Sequence, residues 1–535
     1  MSHPRDPTDQ LWKEAVQCHR RGDLASAAAL LTQILEIDAN HSPALLAKGD
    51  ICAQRGNFQQ ALALFKRASL ADRHNPAAFV QVGRVLQALG RLDEALDTFN
   101  RAITLNPGTP ELYFCLGNLQ SQRGAYDKAS QAYLKALHHR PDFAQASCNL
   151  GAIYKEQGKL HQAVKAYRQA ISADPGLATA YANLGSALRE LGDVDASVQV
   201  CRKATSLAPH SAQGFANLGV ALKDAGLNEQ AVVALRQALT IEPRWVDSHL
   251  NLGNALRTLN RTDEAYACYE RVTEIQPNHA QARASQVAIL LEKGEPDRAL
   301  ELCDYYLAEF PYNSLLNAAR TVTLNTLGYK DQLSTLLNMD EILYRYKLTS
   351  APSYHDLQQF NRELSQHIRS HPSLTHSPTS HATRAGQHTG ELLAGHRGPM
   401  DIFEEIARQQ MDVFLSSNHS SGYMAAPSTN IRVNMWGVVM HQGGHQVPHI
   451  HPTAWMSGVY YPQVPDSVGW KDDSGWIEFG RVGREFPSLT EPQLLTVKPE
   501  EGLMLLFPSY LYHRTIPLRS EKPRISIAFD FIRES

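Results

Sequence analysis

Apolar and polar positions in the first three hundred residues recur in blocks of helical period, and the blocks themselves repeat. Gly49, Gly83, Gly117, Gly151, Gly185, Gly219 and Gly253 follow one another at intervals of 34 residues. A second series, Gly56, Gly90, Gly124, Gly158, Gly192 and Gly226, trails the first by seven. Ala61, Ala95, Ala129, Ala163, Ala231 and Ala265 keep the same beat, as do Pro107, Pro141, Pro175, Pro209, Pro243 and Pro277. Such punctuation predicts pairs of antiparallel helices. Small residues allow close approach, a glycine makes the turn, and a proline follows the end of the second helix. Phe65, Phe99, Tyr133 and Tyr167 share one repeat position and are expected to fill space between neighbouring hairpins.

The helical pattern runs on from 314 to about 347 without this punctuation. "HDLQQFNRELSQHIRSHPSL" (355–374) and "MDIFEEIARQQMDVFLSS" (400–417) read as amphipathic helices, the first stopped near Pro372. Between them lies a histidine-, glycine- and threonine-rich stretch with no helical or strand period, expected to be a surface loop. After residue 428 the pattern changes to short runs rich in β-branched and aromatic residues. These are "TNIRVNMWGVVM", "AWMSGVYYP", "GWIEFGRV", "QLLTV", "GLMLLFPS" and "RISIAFDFI". They predict a strand-rich jelly-roll barrel behind flanking helices.

The 34-residue unit resembles the tetratricopeptide repeat. About nine repeats span 8–313, with capping helices or linker over 314–349 and the strand-rich domain over 350–535. The fold class expected is therefore multidomain, an all-α tetratricopeptide superhelix followed by a double-stranded β-helix (jelly-roll) barrel with flanking helices. Asn149, Asn183, Asn217 and Asn251 recur mid-helix in "CNLG", "ANLG", "ANLG" and "LNLG", where helix propensity gives no reason for asparagine. The carboxamide donates and accepts, so such a ladder can clasp a peptide backbone on the concave surface. The repeats resemble those of O-linked N-acetylglucosamine transferases, in which an asparagine ladder holds substrate polypeptide. A solvated lining of similar repeats is the alternative, and either way this half binds rather than catalyses.

A net charge of −3 gives no field favouring nucleic acid or an anionic membrane. No apolar run approaches the ~20 residues of a membrane span. All seven cysteines precede residue 304 and are spaced singly, which suits buried thiols in a reducing, cytoplasmic setting. Of the 23 histidines, 13 follow residue 350.

Among these, His449 and His451 stand one residue apart in "PHIHPTAWMSGVYYP", His513 follows the strand "LLFPSYLY", and Arg524 and Ser526 open the last strand. Imidazole suits a divalent transition metal, and three protein ligands leave positions open for other ligands. Arginine's fork matches a carboxylate bidentately. Tyr460 and Tyr461 alternate across their strand, so one is expected to face the interior and help bind that carboxylate. Asn434 and Trp436 share a face of the preceding strand and are weaker candidates for the same pocket. The pattern resembles the 2-oxoglutarate- and Fe(II)-dependent oxygenases, specifically a subgroup carrying HxHP…SGVYY…FPS…H…RIS. The resemblance implies iron held by His449, His451 and His513, and 2-oxoglutarate held by Arg524, Ser526 and a tyrosine. It also implies dioxygen as co-substrate. At His451 the family usually has a carboxylate, so Glu478 as a further ligand, or His445 in place of His451, stays open. The activity expected is hydroxylation of a polypeptide presented by the repeats. The alternatives are a scaffold with a degenerate barrel, or an oxygenase acting on a small molecule or glycan. No Gly-rich phosphate loop after 314 supports a transferase.

Overall fold

The computed structural model describes residues 7–376, 382–417, 422–424, 430–469, 472–487 and 489–534. The chain divides into two compact units, Met1–Ile241 and Glu242–Ser535. The first contains seven helix hairpins among its described residues, from Pro7–Arg20 with Leu24–Ile37 to Ala212–Asp224 with Asn228–Ile241. The second unit opens with two more, Val246–Thr258 with Thr262–Ile275 and Ala280–Glu292 with Pro296–Glu309. Nine hairpins match the periodicity.

The two glycine series serve different ends. A side-chain carbon at Gly83 would lie 2.3 Å from the ring of Phe99, on the second helix of the same hairpin, and at Gly49 it would lie 2.4 Å from Phe65. The bare backbone is the seat of the ring. Each ring also meets the next hairpin, as Phe65 does beside Val82, Val85 and Leu86. It therefore seals its own hairpin as well as the space between neighbours. The second series turns the chain at positive φ, +78° at Gly56 and +72° at Gly90. Asn260 holds the equivalent place at +58°, a conformation asparagine tolerates.

Segment 314–349, expected to be capping helices and linker, supplies the helices Ser314–Leu327, Lys330–Leu337 and Met339–Ile342. Its end departs from that expectation. Tyr344–Lys347 is a strand, β1, and strands β2 (Thr375–His376), β3 (Thr383–His388) and β4 (Ile431–His449) follow it. Then come β5 (Met456–Gln463), β6 (Ile477–Phe479), β7 (Leu495–Val497), β8 (Leu503–Pro508), β9 (His513–Thr515) and β10 (Arg524–Arg533). The ten strands form one curled antiparallel sheet in the order β1-β8-β5-β10-β4-β9-β6-β7, with β3 also on β4 and β2 on β3. This is a jelly-roll-like arrangement. The expected surface loop between the two amphipathic helices is thus partly strand, because Thr383–His388 finds pairing partners along β4. Residues 377–381 of that stretch lie outside the described residues.

β4 makes the curl. Its first half pairs with β10 from Ile431 to Met440, and its second half pairs with β9 at Gln446 and His449. Between the halves is the "HQGG" bend, with Gly443 at φ +80°. Register fixes the two faces. One face carries Met435, Val439, Tyr460, Ile527 and Phe529, which bury against Phe360, Leu364, Ile368 and Phe403 of the flanking helices Leu357–Ser370 and Met400–Ser417. The same core continues into Ala284, Val287, Leu291, Leu316 and Ala319 of the last hairpin and the helix after it. The opposite face holds the chemistry.

Candidate metal centre

His449 ends β4 and sits directly across the ladder from His513, the first residue of β9. His451 lies two residues beyond the end of β4. Its backbone N–H is fixed to the carbonyl of Ser509 at 3.2 Å. The ring centroids lie 4.3 Å (His449–His513), 5.1 Å (His451–His513) and 5.3 Å (His449–His451) apart, and three nitrogen donors fall within 4.8 Å of one another.

In each ring Nδ1 is already engaged. His449 Nδ1 donates to the Val447 carbonyl at 2.8 Å and His513 Nδ1 to the Leu511 carbonyl at 3.0 Å. His451 Nδ1 donates to Asp530 Oδ1 at 2.5 Å. A carbonyl oxygen only accepts, so the proton sits on Nδ1 and Nε2 keeps its lone pair. Burial pushes the His449 imidazolium down to about 3, helped by His451. Burial, then His449 and His451, push His513 well below its ordinary value. The donor set therefore fits a divalent metal ion: convergent imidazoles, each with its second nitrogen fixed by an oxygen acceptor.

Glu478 and His445, the two open alternatives, lie apart from the three-histidine cluster. Glu478 forms ion pairs with Arg481 at 2.5 Å and Arg514 at 2.7 Å. It lies one residue from Phe479, the residue paired with His513, and so belongs to the other face of β6. His445 hydrogen-bonds the Gly443 carbonyl and is outside the cluster.

Arg524, 2 % exposed, shares a face of β10 with Ser526, Ala528 and Asp530. Its Nη1 donates to the Gly475 carbonyl at 2.5 Å, and its Nη2 lies 3.0 Å from Met440 Sδ and 3.4 Å from Thr515 Oγ1. Nε has no partner, and among the described residues no carboxylate pairs with the guanidinium. Burial works against this charge and lowers the group's pKa. Thr515 stands two residues from His513 on β9, ~6.6 Å along the strand. The cation is thus held near the histidines with capacity to spare.

Tyr461 faces it, with its ring centroid 5.4 Å from the guanidinium. Tyr460 does not. By alternation it points out of the barrel, where its hydroxyl donates to Asn361 Oδ1 at 2.6 Å and its ring packs on Phe403. The expectation that Tyr460 binds cofactor is corrected on that ground. Ser526 is buried on the Arg524 face, opposite Val438. Asn434 and Trp436 line a pocket of ≈ 460 Å³ that opens on His449 and His451, together with Thr389, Gly390 and Glu391.

Asp530 was missed in the sequence. The available signal was its even spacing from Arg524 and Ser526 in "RISIAFDF", which puts it on the same face. Ser457, which donates to Asp530 Oδ1 at 2.7 Å, was missed with it.

The asparagine ladder lies half-buried on the first helices of its hairpins. In the first unit Asn149 Nδ2 donates to Asn118 Oδ1 at 2.9 Å and Asn217 Nδ2 to the Ala182 carbonyl at 3.1 Å. Asn183 Nδ2 lies 3.8 Å from Cys148 Sγ. These amides reach along the stack to the preceding hairpin. Asn251, in the second unit, bonds the Asp247 carbonyl of its own helix.

Residues 434–530 match the family described as "Putative 2OG-Fe(II) oxygenase". Tetratricopeptide repeat models match residues 19–81, 83–124, 121–158, 148–212, 212–244 and 250–314. No curated protein matches the chain. Among solved structures, the APC/C hetero-tetramer Cut9-Hcn1 is similar at 21% identity and TM-score 0.41, over 56% of this chain and 59% of that one, less than two thirds of its length. MamA aligns at 26% identity and TM-score 0.28, over 30% of this chain and 93% of its own. YrrB, a TPR protein with an unusual peptide-binding site, aligns at 21% identity and TM-score 0.30, over 34% and 95%. The chain thus carries tetratricopeptide repeats within residues 19–314 and, over residues 434–530, a segment that matches the family described as "Putative 2OG-Fe(II) oxygenase".

Proposed function

We propose that the C-terminal domain is a working 2-oxoglutarate- and Fe(II)-dependent dioxygenase that hydroxylates a polypeptide brought to it by the repeats. The observation that carries this is a complementary pair: three convergent imidazoles with free Nε2 atoms, and a buried, unpaired Arg524 close by on the same face. His449, His451 and His513 would hold the iron. Arg524 would receive the distal carboxylate of 2-oxoglutarate, with Ser526 and Tyr461 beside it. Bound together, iron and keto acid supply oxidative decarboxylation coupled to insertion of an oxygen atom into a substrate C–H bond.

The protein's own share is placement. The Nδ1 bonds set each ring's tautomer and direction. Phe507, whose ring is 4.9 Å from His513, and Phe479, at 6.2 Å, wall the site from water on one side. The pocket over His449 and His451, beside Trp436, is the place for a substrate side chain. The repeats, through Asn149, Asn183, Asn217 and Asn251, would hold the client. A carboxamide offers two donor hydrogens and an acceptor oxygen; Asn149, Asn183 and Asn217 spend one donor each along the stack, and Asn251 bonds its own helix. Seven free cysteines suit a reducing, cytoplasmic setting, and no described helix is long and apolar enough to cross a membrane.

A second reading, a binding scaffold with a silent barrel, draws on His451, since among the described residues the cluster holds three histidines and no carboxylate. Anaerobic titration of the full chain with Fe(II) and then 2-oxoglutarate separates the two. The dioxygenase reading expects a visible iron-to-keto-acid charge-transfer band, lost in His513→Ala and weakened in Arg524→Ala. No band and no retained metal would leave the scaffold.

A further inference from the structure

We propose that Asp530 supplies, from behind His451, the negative charge that a centre of three neutral imidazoles otherwise lacks. The inference rests on reading the three histidines as a metal centre. Two of them, His449 and His513, lean on uncharged backbone carbonyls. Only His451 leans on a carboxylate, so the one negative charge beside the cluster reaches it through that ring.

Charge placement supports this independently. Asp530 is 7 % exposed, and among the described residues no lysine or arginine pairs with it. Its other partner is the Ser457 hydroxyl, which also lies 2.7 Å from Ser509 Oγ and 3.1 Å from His451 Nδ1. A buried carboxylate without a cation is expensive. A divalent ion on the far side of the His451 ring removes that expense. The arrangement is the carboxylate–histidine–metal relay, in which the outer acid orients the ring and raises its basicity. The hydroxyl pair Ser457–Ser509 holds the acid in place from two neighbouring strands, β5 and the end of β8. Asp530 is thus a positioning residue, acting through His451.

The test is an anaerobic titration of the full chain with Co(II) alone, read by its visible bands. Asp530→Asn keeps the shape and an acceptor oxygen for His451 Nδ1 while removing the charge. We expect its Co(II) affinity to fall about 10- to 100-fold. The double variant His451→Asp/Asp530→Asn, with the acid moved onto the metal, should recover to within about threefold of the parent. A merely structural role for Asp530 would not be rescued by relocating its charge. Unchanged affinity in Asp530→Asn overturns the inference. If His513→Ala still abolishes the bands in that case, the metal centre itself stands. Absence of bands in the parent overturns both. Should Asp530→Asn fail to fold by circular dichroism, Ser509→Ala, whose side chain holds the acid through Ser457 and does not bond the His451 ring, gives the comparison: an affinity loss of about threefold supports the relay, and none overturns it.

Discussion

Arg524→Met should make the metal-free protein more stable while removing its response to 2-oxoglutarate. The guanidinium sits in the barrel with one short bond, to the Gly475 carbonyl, weaker contacts to Met440 Sδ and Thr515 Oγ1, and a ring contact with Tyr461. Taking an unpaired cation out of water costs several kcal/mol. The charge-assisted bond returns about 2 kcal/mol, and the aromatic face about 1–2 kcal/mol. Methionine leaves the Gly475 carbonyl bare, at about 1–3 kcal/mol. It also gains a buried apolar side chain, worth about 1.5–3 kcal/mol. The last two terms nearly cancel, so the balance rests on the cation and favours methionine by about 1–2 kcal/mol. For the unfolding step that contains the barrel this is a rise of about 2–8 °C. In the metal-loaded parent, 2-oxoglutarate at a hundred times its Kd should add about 2.7 kcal/mol. The variant should show no such shift. Thermal unfolding with and without metal and keto acid reads both effects. A variant that is less stable without metal, or that keeps the keto-acid shift, would refute the reasoning, because Arg524 would then be a structural residue with no vacancy for an anion.

Gly83→Ala drives a methyl into the ring of Phe99 and should cost about 1–3 kcal/mol in urea unfolding, partly recovered by Phe99→Leu. The repeats themselves suggest the remedy, since Gly219 faces Leu235 rather than an aromatic ring. Replacing Asn149, Asn183, Asn217 and Asn251 by alanine should weaken client binding at least tenfold in a pull-down or fluorescence titration, about 1.4 kcal/mol. It should leave uncoupled 2-oxoglutarate turnover intact, and unchanged client binding would remove the ladder from the account.

The repeats were legible because four residue series keep one period, and period survives any ignorance of packing. The histidines and Arg524 were legible as a spaced motif. Which of Tyr460 and Tyr461 faces inward was not, since alternation says only that they oppose; the bond from Tyr460 to Asn361 decides it. Asp530 escaped for a different reason. Its meaning depends on β10 lying between β4 and β5, which brings it to a histidine 79 residues away in sequence. Short strands were also hidden. "YRYK" at β1 has too few residues to show a period, and β3 is strand only because β4 offers it an edge on both sides of its bend.

The helix Ser314–Leu327 does more than cap the repeats. Ser314 Oγ donates to the Ala454 carbonyl at 2.5 Å and lies 2.7 Å from the Tyr423 hydroxyl, which in turn donates to the Trp455 carbonyl at 2.6 Å. Ala454 is three residues from His451, whose carbonyl it bonds through its own N–H. Mechanically, the turn behind one candidate ligand is bolted to a helix that shares its core with the last hairpin. A cut at residue 350 would therefore part the turn behind His451 from the helix that holds it, although the cut lies about a hundred residues from the histidine.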